Sequence, residues 1–448
     1  MSGGSVSAIR GTLVAFCDDP FLVDPAQAFR YEADGLVICR KGLIEAVGPY
    51  GELRGSVPAG ATRADYSGCI ISPGFVDIHT HYVQSEMIAG PGRQLLGWLE
   101  DYVYPTEEGF ADEAHGRRIA SFFLDALLRN GTTTACVYCA TFPQSADALF
   151  VEAGARGMRI AARQCLMDRN APAPLLATAQ AGYDASKALI GKWHNHGGLL
   201  YAITPRWAGG STPAQLEVAG ALWHEVPDLL LQTHIAESRA EIAFVADLFP
   251  ERGDYLDVYE HYGLVGRRTL LGHAVWFTDS EFARCHERNA SIAHCPTSNE
   301  FLGSGLFPLR KAKDSSRPIH VGIGTDISAG TSFSALVTLN ETYKVAALNA
   351  APITALEGFY LATLGGARAL DLEDRIGSLR PGREADIVVL DPQATLLLSF
   401  RVARSRSIEE TLFVLMTLGD ERAVRATYVA GRLAHEATAR NHDVRHNS

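Results

Sequence analysis

The hydrophobic rhythm of the chain changes near residue 71 and again near residue 375. Residues 8–70 hold short segments in which apolar and polar residues alternate, such as A-I-R-G-T-L-V-A-F, with glycines between them. Alternation with a period of two, broken by glycine-rich turns, is typical of β-strands. The pattern returns after about residue 375, in A-D-I-V-V-L-D and V-R-A-T-Y-V-A-G-R-L. We therefore expect residues 1–70 and 375–448 to fold together as a small β-sandwich domain.

Between these ends, apolar strand-like runs alternate with amphipathic stretches of helical periodicity. One such stretch is E-A-H-G-R-R-I-A-S-F-F-L-D-A-L-L-R-N, which Gly131 ends. The runs cover residues 71–78, 132–138, 159–167, 200–206, 229–236, 269–275, 291–295 and 320–326. Alternating strands and helices predict a parallel sheet, and eight such units predict a closed barrel. We expect residues 71–374 to form a (β/α)8 TIM-like barrel.

Composition narrows the range of partners. The net charge of −11 argues against nucleic acid as a ligand, because phosphate binding needs a basic face. The start M-S-G-G-S-V-S-A-I-R lacks the features of a signal peptide, and no apolar run approaches the ~18 residues of a membrane span. Cys136 and Cys139 form a C-x-x-C, but on a strand their side chains point to opposite faces, so buried thiols are favoured over a metal site. We expect a cytoplasmic protein, with a frayed polar end at 441–448.

Polar residues stand at the ends of several predicted strands. In a barrel of this kind the chemistry lies at the C-terminal mouth, so residues at strand ends carry the most information. His79 and His81 are two positions apart, and their side chains therefore point the same way. An isolated H-x-H is often coincidence, but His234, His273 and Asp326 end other strands.

These residue types support metal-assisted hydrolysis. Three neutral imidazoles and one carboxylate can hold a divalent ion and leave a position for water. The ion lowers the pKa of that water from about 15.7 to about 7. Glu237, three residues after His234, is the candidate to carry the proton to the substrate and the leaving group.

Other polar residues have simpler interpretations. His194 and His196 form a second H-x-H, in a glycine-rich connection where a surface loop is favoured over a metal site. His294 ends a strand, where packing or support of the substrate loop is favoured over catalysis. Asp77 either supports the histidines or bonds to nearby backbone. The segment 86–110 can cover the site as a lid, and which of its aromatic residues meet a ligand is open.

The chain resembles the amidohydrolase superfamily in P-G-F-V-D-I-H-T-H, T-H-I-A-E, L-G-H and G-T-D. Within it the chain resembles the branch that deaminates guanine, on H-T-H-Y-V-Q, L-L-G-W-L-E-D-Y-V-Y-P-T-E, T-P-R-W, I-A-H-C-P-T-S-N-E-F-L-G-S-G-L-F and G-T-D-I-S-A-G-T-S-F-S. The likeness extends over nearly the whole chain. It implies a zinc-dependent enzyme that converts guanine and water to xanthine and ammonia.

The resemblance also implies a role for individual residues. The implied zinc ligands are His79, His81, His234 and Asp326. The implied catalytic groups are Glu237, which carries the proton, His273, which holds the reacting water, and Asp326. The implied substrate-binding residues are Gln84, Arg206, Trp207, His81, His234 and Glu237. Trp207 stands where the family often has phenylalanine, so the aromatic wall of the pocket differs.

One zinc ion per chain is favoured over two. Two-metal members of the superfamily bridge their ions with a lysine or glutamate near the end of strand four, where this chain has T-P-R-W. Arginine stays protonated and cannot bridge metals. The same machinery acting on a pterin or triazine ring is the nearest alternative, and an inactive barrel used as a scaffold is the second. From the residues alone, an ion pair between Arg206 and a surface carboxylate at the strand end is as well supported as a substrate-binding role. A homodimer is implied by the resemblance alone.

Overall fold

The computed structural model describes residues 6–92, 94–226 and 228–437, so the polar end at 441–448 lies outside the described residues. The strands are β1 Val6–Phe16, β2 Phe29–Arg40, β3 Leu43–Pro49, β4 Thr62–Pro73, β5 Phe75–His81, β6 Thr132–Tyr138, β7 Arg159–Arg163, β8 Leu199–Ile203, β9 Leu230–Ile235, β10 Thr269–His273, β11 Ser291–His294, β12 Val321–Ile323, β13 Ile387–Leu390, β14 Val424–Val429 and β15 Arg432–Glu436. The α-helices of seven residues or more are Glu113–Arg129, Pro143–Arg156, Ala179–Trp193, Pro213–Glu225, Arg239–Leu248, Tyr255–His261, Asp279–Glu287, Ala335–Leu348, Leu396–Val402 and Ile408–Leu418.

The predicted (β/α)8 barrel is confirmed. In the described part of the chain, β5 to β12 form a parallel sheet in sequential order. The backbone N–H of Asp326, just after β12, donates to the carbonyl of His79 on β5 at 2.8 Å and joins the first and last strands. Because the strands are parallel, their C-terminal ends lie at one mouth, where the histidines of the sequence patterns meet.

The first predicted run, 71–78, is not one strand, and this prediction is wrong. Its first residues end β4, which belongs to the other sheet, and Phe75 begins β5 of the barrel. Gly74 lies between them, where an added Cβ would approach Thr133 Oγ1 to 2.2 Å. Only glycine lets the backbone pass this close to β6, so the apolar run continues across a change of sheet.

The two ends of the chain share a second sheet, as predicted. Within the described residues its order is β15-β14-β13-β4-β1-β2-β3, and β13 pairs antiparallel with β4. Tyr66 and Tyr428 join their hydroxyl groups at 2.8 Å across this sheet. Pairing between segments more than 300 residues apart therefore places the chain ends beside the barrel. The limits at residues 70 and 375 stay predictions.

A helical segment covers the mouth of the barrel. It runs as α-helix Leu95–Trp98, π-helix Leu99–Val103 and α-helix Tyr104–Glu108. Trp98 and Leu99 are buried in a cluster that includes Leu302 from the loop after β11. A π-helical turn inside an α-helix is frequent at functional sites. The lid predicted for 86–110 thus contains a helix packed on the barrel. No helix in the described ranges is long and apolar enough to cross a membrane.

Candidate active site

Four side chains at the mouth of the barrel, three of them buried and His234 half-buried, form a group with metal-ligand geometry. The ligand atoms of His79, His234, His273 and Asp326 all lie within 4.8 Å of one another. Each side chain comes from the C-terminal end of a strand or from the residues that follow it. This group shares three members with the ligand set that the sequence resemblance implies, and it holds His273 in place of His81.

His81 lies inside the same cluster. Its Nε2 is 3.1 Å from Asp326 Oδ1 and 3.2 Å from His234 Nε2. His79 Nε2 is 3.4 Å from the same Asp326 oxygen. The structure therefore brings together all four residues of the implied set, with His273 as a fifth member.

The hydrogen bonds of the cluster fit a metal ion. His234 Nδ1 is 2.6 Å from the carbonyl oxygen of Arg206, which only accepts, so Nδ1 carries the proton and Nε2 is left as a lone pair. Neither ring nitrogen of His79, nor Nε2 of His273, has a hydrogen-bond partner in the described part of the chain. Buried polar atoms rarely stay unpaired without a reason. A divalent ion among these imidazoles and Asp326 would pair with one nitrogen of each ring.

Burial keeps the imidazoles of His79, His81 and His234 neutral. It lowers the pKa of His79, lowers that of His81 to about 3, and takes that of His234 well below its usual range. Burial acts against ionisation of Asp326, but His79 and His81 outweigh it and hold the pKa of this carboxyl well below normal. Neutral imidazole and ionised carboxylate are the forms that bind metals.

The backbone at two of these strand ends adopts a rare conformation. His273 has φ of 71° and Asp326 has φ of 49°, both in the left-handed region. Residues with a Cβ pay about 1–2 kcal/mol there. Such conformations cluster at active sites, where the surrounding structure holds a side chain in a required direction. The backbone at these strand ends therefore directs the side chains of His273 and Asp326 toward the other members of the group, and this conformation lowers the stability of the fold.

Two glycines make room for the His79 imidazole. A Cβ added to Gly272 would come within 2.5 Å of His79 Cε1, and one added to Gly324 would come within 2.6 Å of His79 Cβ. Asp77 adds a support beneath them, since its Oδ1 accepts from the backbone N–H of His79 at 3.2 Å and of Thr325 at 3.1 Å. Both interpretations offered for Asp77 therefore hold, because its backbone bonds join the strand that carries the histidines to the segment that carries Asp326.

Replacing Gly272 with alanine should push the His79 ring out of line. We expect metal affinity to fall by about 10–100-fold, the range typical for disturbed support of a ligand. The measurement is zinc affinity by competition with a chelator. Gly191→Ala is the matched control, because a Cβ there meets nothing within 4 Å, and its zinc affinity should stay unchanged. Equal affinity in both variants would show that the His79 position is not critical.

Glu237 and His273 face each other beside the cluster. Glu237 Oε2 is 3.6 Å from His273 Nε2, and its Oε1 accepts from the Ser304 hydroxyl at 2.9 Å. Asn299 Oδ1 is 2.9 Å from His273 Nδ1, so that nitrogen carries a proton and Nε2 faces the carboxylates. Burial raises the pKa of Glu237. Burial opposes protonation of His273, but Glu237 and Asp326 raise its pKa overall.

A second polar group closes the other side of the pocket. Arg206 is buried, and its Nη1 donates to both carboxylate oxygens of Glu107 at 2.8 and 2.7 Å. Gln84 Nε2 donates to Glu107 Oε1 at 3.0 Å and lies 3.2 Å from His81 Nδ1. Arg206 is thus both an ion-pair residue and a lining residue of the pocket.

Apolar side chains complete the pocket. Its lining includes Leu95, Trp98, Leu99, Trp207, Leu302 and Ala329. The Trp207 indole stacks on Phe244 at 5.7 Å between ring centroids. It also lies against Gly209, where a Cβ would approach the ring to 2.3 Å. Among the aromatic residues of the lid, Trp98 is the one that lines the pocket.

Three residues around the pocket were missed in the sequence. They are Glu107, Asn299 and Ser304, which contact Arg206, His273 and Glu237 respectively. Glu107 lies in the segment P-T-E and the other two in S-N-E-F-L-G-S-G, which carried the family likeness without any assigned role. His194 Nδ1 accepts from the backbone N–H of Tyr201 at 3.1 Å, in line with a structural role.

A family model described as the amidohydrolase family matches residues 70–434. Guanine deaminase of Escherichia coli is 47% identical over 440 residues, which cover 97% of this chain and 99% of that protein. The solved structure of E. coli guanine deaminase superposes with a TM-score of 0.93 and covers 96% of this chain and 99% of that one.

Two other solved structures extend the comparison. Guanine deaminase from Bradyrhizobium japonicum is 37% identical, with a TM-score of 0.93 over 97% of this chain and 100% of that one. Guanine deaminase from C. acetobutylicum, solved with guanine bound in the active site, is 25% identical, with a TM-score of 0.85 over 96% of this chain and 100% of that one.

Proposed function

The chain belongs to the amidohydrolase family, and we propose that its barrel uses one zinc ion to hydrolyse guanine to xanthine and ammonia. The observation that carries this is the group of His79, His234, His273 and Asp326 beside Glu237, in a chain that matches guanine deaminases along its length. A chain with this likeness and this site is a hydrolase that deaminates guanine.

We assign the zinc ion to His79, His81, His234 and Asp326. His273 lies within reach of the same point, but its Nε2 faces the carboxylates of Glu237 and Asp326 at 3.6 and 3.8 Å, which suits a group that holds a water molecule. A bound zinc ion would supply Lewis acidity and lower the pKa of water to about 7.

Glu237 carries the proton. Its carboxylate accepts a proton from the attacking water and gives it to the ring nitrogen beside the reacting carbon. Glu237 then takes the second proton of the added water from the new hydroxyl group and delivers it to the amine, which leaves as ammonia while the C=O bond forms, so the same group serves both halves of the reaction. Ser304 holds one carboxylate oxygen and leaves Oε2 free to face His273 and the substrate. The raised pKa of the buried Glu237 makes it a better proton acceptor than an exposed glutamate.

Arg206 and Gln84 hold the substrate ring. The guanidinium donates to the carbonyl oxygen of guanine, while Trp207 and Leu99 cover the flat faces of the pocket. A ring without that carbonyl would leave a buried arginine donor unpaired, which costs about 1–3 kcal/mol. This preference favours guanine over triazine rings. By the same family likeness we propose a cytoplasmic homodimer with one zinc ion per chain.

The proposed function predicts a clear substrate order. The purified, zinc-loaded protein should convert guanine to xanthine, and should turn over a chlorotriazine, which has no ring carbonyl, at least about tenfold more slowly because the arginine donor stays unpaired. A protein that contains zinc and favours the chlorotriazine would contradict the assignment of guanine.

A further inference from the structure

Glu107 links the two residues that read the substrate. It lies at the end of the lid helix, and its side chain is fully buried with 0% exposed. One carboxylate oxygen accepts from both Arg206 Nη1 and Gln84 Nε2, at 2.8 and 3.0 Å, and the other accepts from Arg206 at 2.7 Å. A single carboxylate thus fixes the geometry of both partners.

The charge of this carboxylate decides which way the Gln84 amide points. A carboxylate paired with a guanidinium only accepts hydrogen bonds. The amide nitrogen of Gln84 therefore has to face Glu107, and the amide oxygen is directed away from it. Gln84 and Arg206 both line the substrate pocket. The pocket consequently offers an acceptor from Gln84 next to donors from Arg206.

We propose that Glu107 is a positioning residue that determines specificity, because it sets this adjacent acceptor and donor pair. The pair matches a ring edge on which an N–H stands beside a C=O, the lactam edge of guanine and of xanthine. It mismatches an edge on which a ring nitrogen without hydrogen stands beside an amino group, as in 2,6-diaminopurine. This inference rests on the proposed function and adds to it the chemical edge that the site selects.

A purely structural role for Glu107 makes different predictions. The buried ion pair of Lys313 with Asp19, at 2.5 Å, is of the same kind, and neither residue lines the pocket. If Glu107 were merely the countercharge of Arg206, its loss would lower stability or the active fraction but leave the substrate preference of the folded enzyme unchanged.

The test is the Glu107→Gln variant of the full-length zinc enzyme. The new amide oxygen accepts from Arg206, and the new amide nitrogen faces Gln84, which then turns its own nitrogen toward the substrate. We expect KM for guanine and the dissociation constant for xanthine to rise by about 10–100-fold, the value of a hydrogen bond to a charged group. The ratio of kcat/KM for guanine over 2,6-diaminopurine should fall by at least about tenfold.

Two further variants complete the experiment. Asp19→Asn removes a buried ion pair of the same kind and should change stability without changing the substrate ratio or xanthine binding. Glu107→Asp keeps an acceptor-only carboxylate and should restore most of the guanine preference. Unchanged xanthine binding and an unchanged substrate ratio in folded Glu107→Gln would overturn the inference while wild-type guanine turnover stands. Absence of guanine turnover in the zinc-loaded wild type would instead refute the proposed function and the inference with it.

Discussion

The Glu237→Gln variant is expected to lose about two to four orders of magnitude in kcat for guanine, the usual contribution of a positioned acid–base group. Glutamine has nearly the same shape and still accepts the hydrogen bond from Ser304, but it cannot take a proton from water or pass one to the ring. Zinc content and xanthine binding should stay close to those of the wild type, because Glu237 is not among the assigned ligands. The measurements are single-turnover kinetics, zinc analysis and xanthine affinity.

Glu281→Gln is the matched control for this variant. Glu281 is also a buried glutamate with a raised pKa, caused first by burial, but it caps the helix Asp279–Glu287 away from the pocket. Loss of the Glu281 carboxylate should lower the stability of the protein modestly and leave kcat for guanine unchanged. If Glu237→Gln kept more than a tenth of the wild-type kcat, another group would have to carry the proton, and His273 would be the first candidate.

Replacing His79 with alanine should abolish zinc binding and with it turnover. The imidazole is fully buried and has no hydrogen-bond partner among the described residues, and its Nε2 lies 3.4 Å from Asp326 Oδ1, a position that a shared metal ion explains. We expect zinc to fall from about one ion per chain to near none, since losing one of four ligands removes a large part of the ~10–16 kcal/mol found for structural zinc sites. Zinc content by elemental analysis is the measurement.

His294→Ala is a demanding control for that result. His294 is also fully buried at the end of a strand, and neither of its nitrogens has a partner in the described part of the chain. Burial lowers the pKa of His294 to about 3, yet His294 does not belong to the group of His79, His234, His273 and Asp326. We expect this variant to keep its zinc. Retention of zinc by His79→Ala would contradict the ligand assignment.

The same assay separates His81 from His273. The assigned ligand set predicts loss of zinc from His81→Ala and retention of zinc by His273→Ala, which should lose turnover only. The opposite pattern would favour the group whose ligand atoms lie within 4.8 Å of one another.

The barrel and its metal cluster could be predicted because their signals are local. A seven-residue apolar run such as Thr132–Tyr138 matches its strand at both ends, and the H-x-H spacing directs His79 and His81 to one side. The run at 71–78 was predicted as one strand because its residues are apolar throughout, although the chain changes from one sheet to the other within it. The close approach of Gly74 to Thr133 marks the point of change.

The supporting residues could not be predicted because their partners lie far away in the chain. Glu107 meets Arg206 across 99 residues, and Ser304 meets Glu237 across 67. No spacing rule connects such positions, since the contact exists only once the lid helix and the loop after β11 pack on the barrel. Sequence patterns therefore predicted which groups meet at the mouth of the barrel, and the fold was needed to show what holds them.

Hydrolysis of guanine in ¹⁸O-labelled water by the purified, zinc-loaded chain tests the central claim most directly. We expect xanthine that carries one oxygen atom from the solvent, together with an equal amount of ammonia. Guanine that stays unchanged in the presence of a full complement of zinc would contradict it.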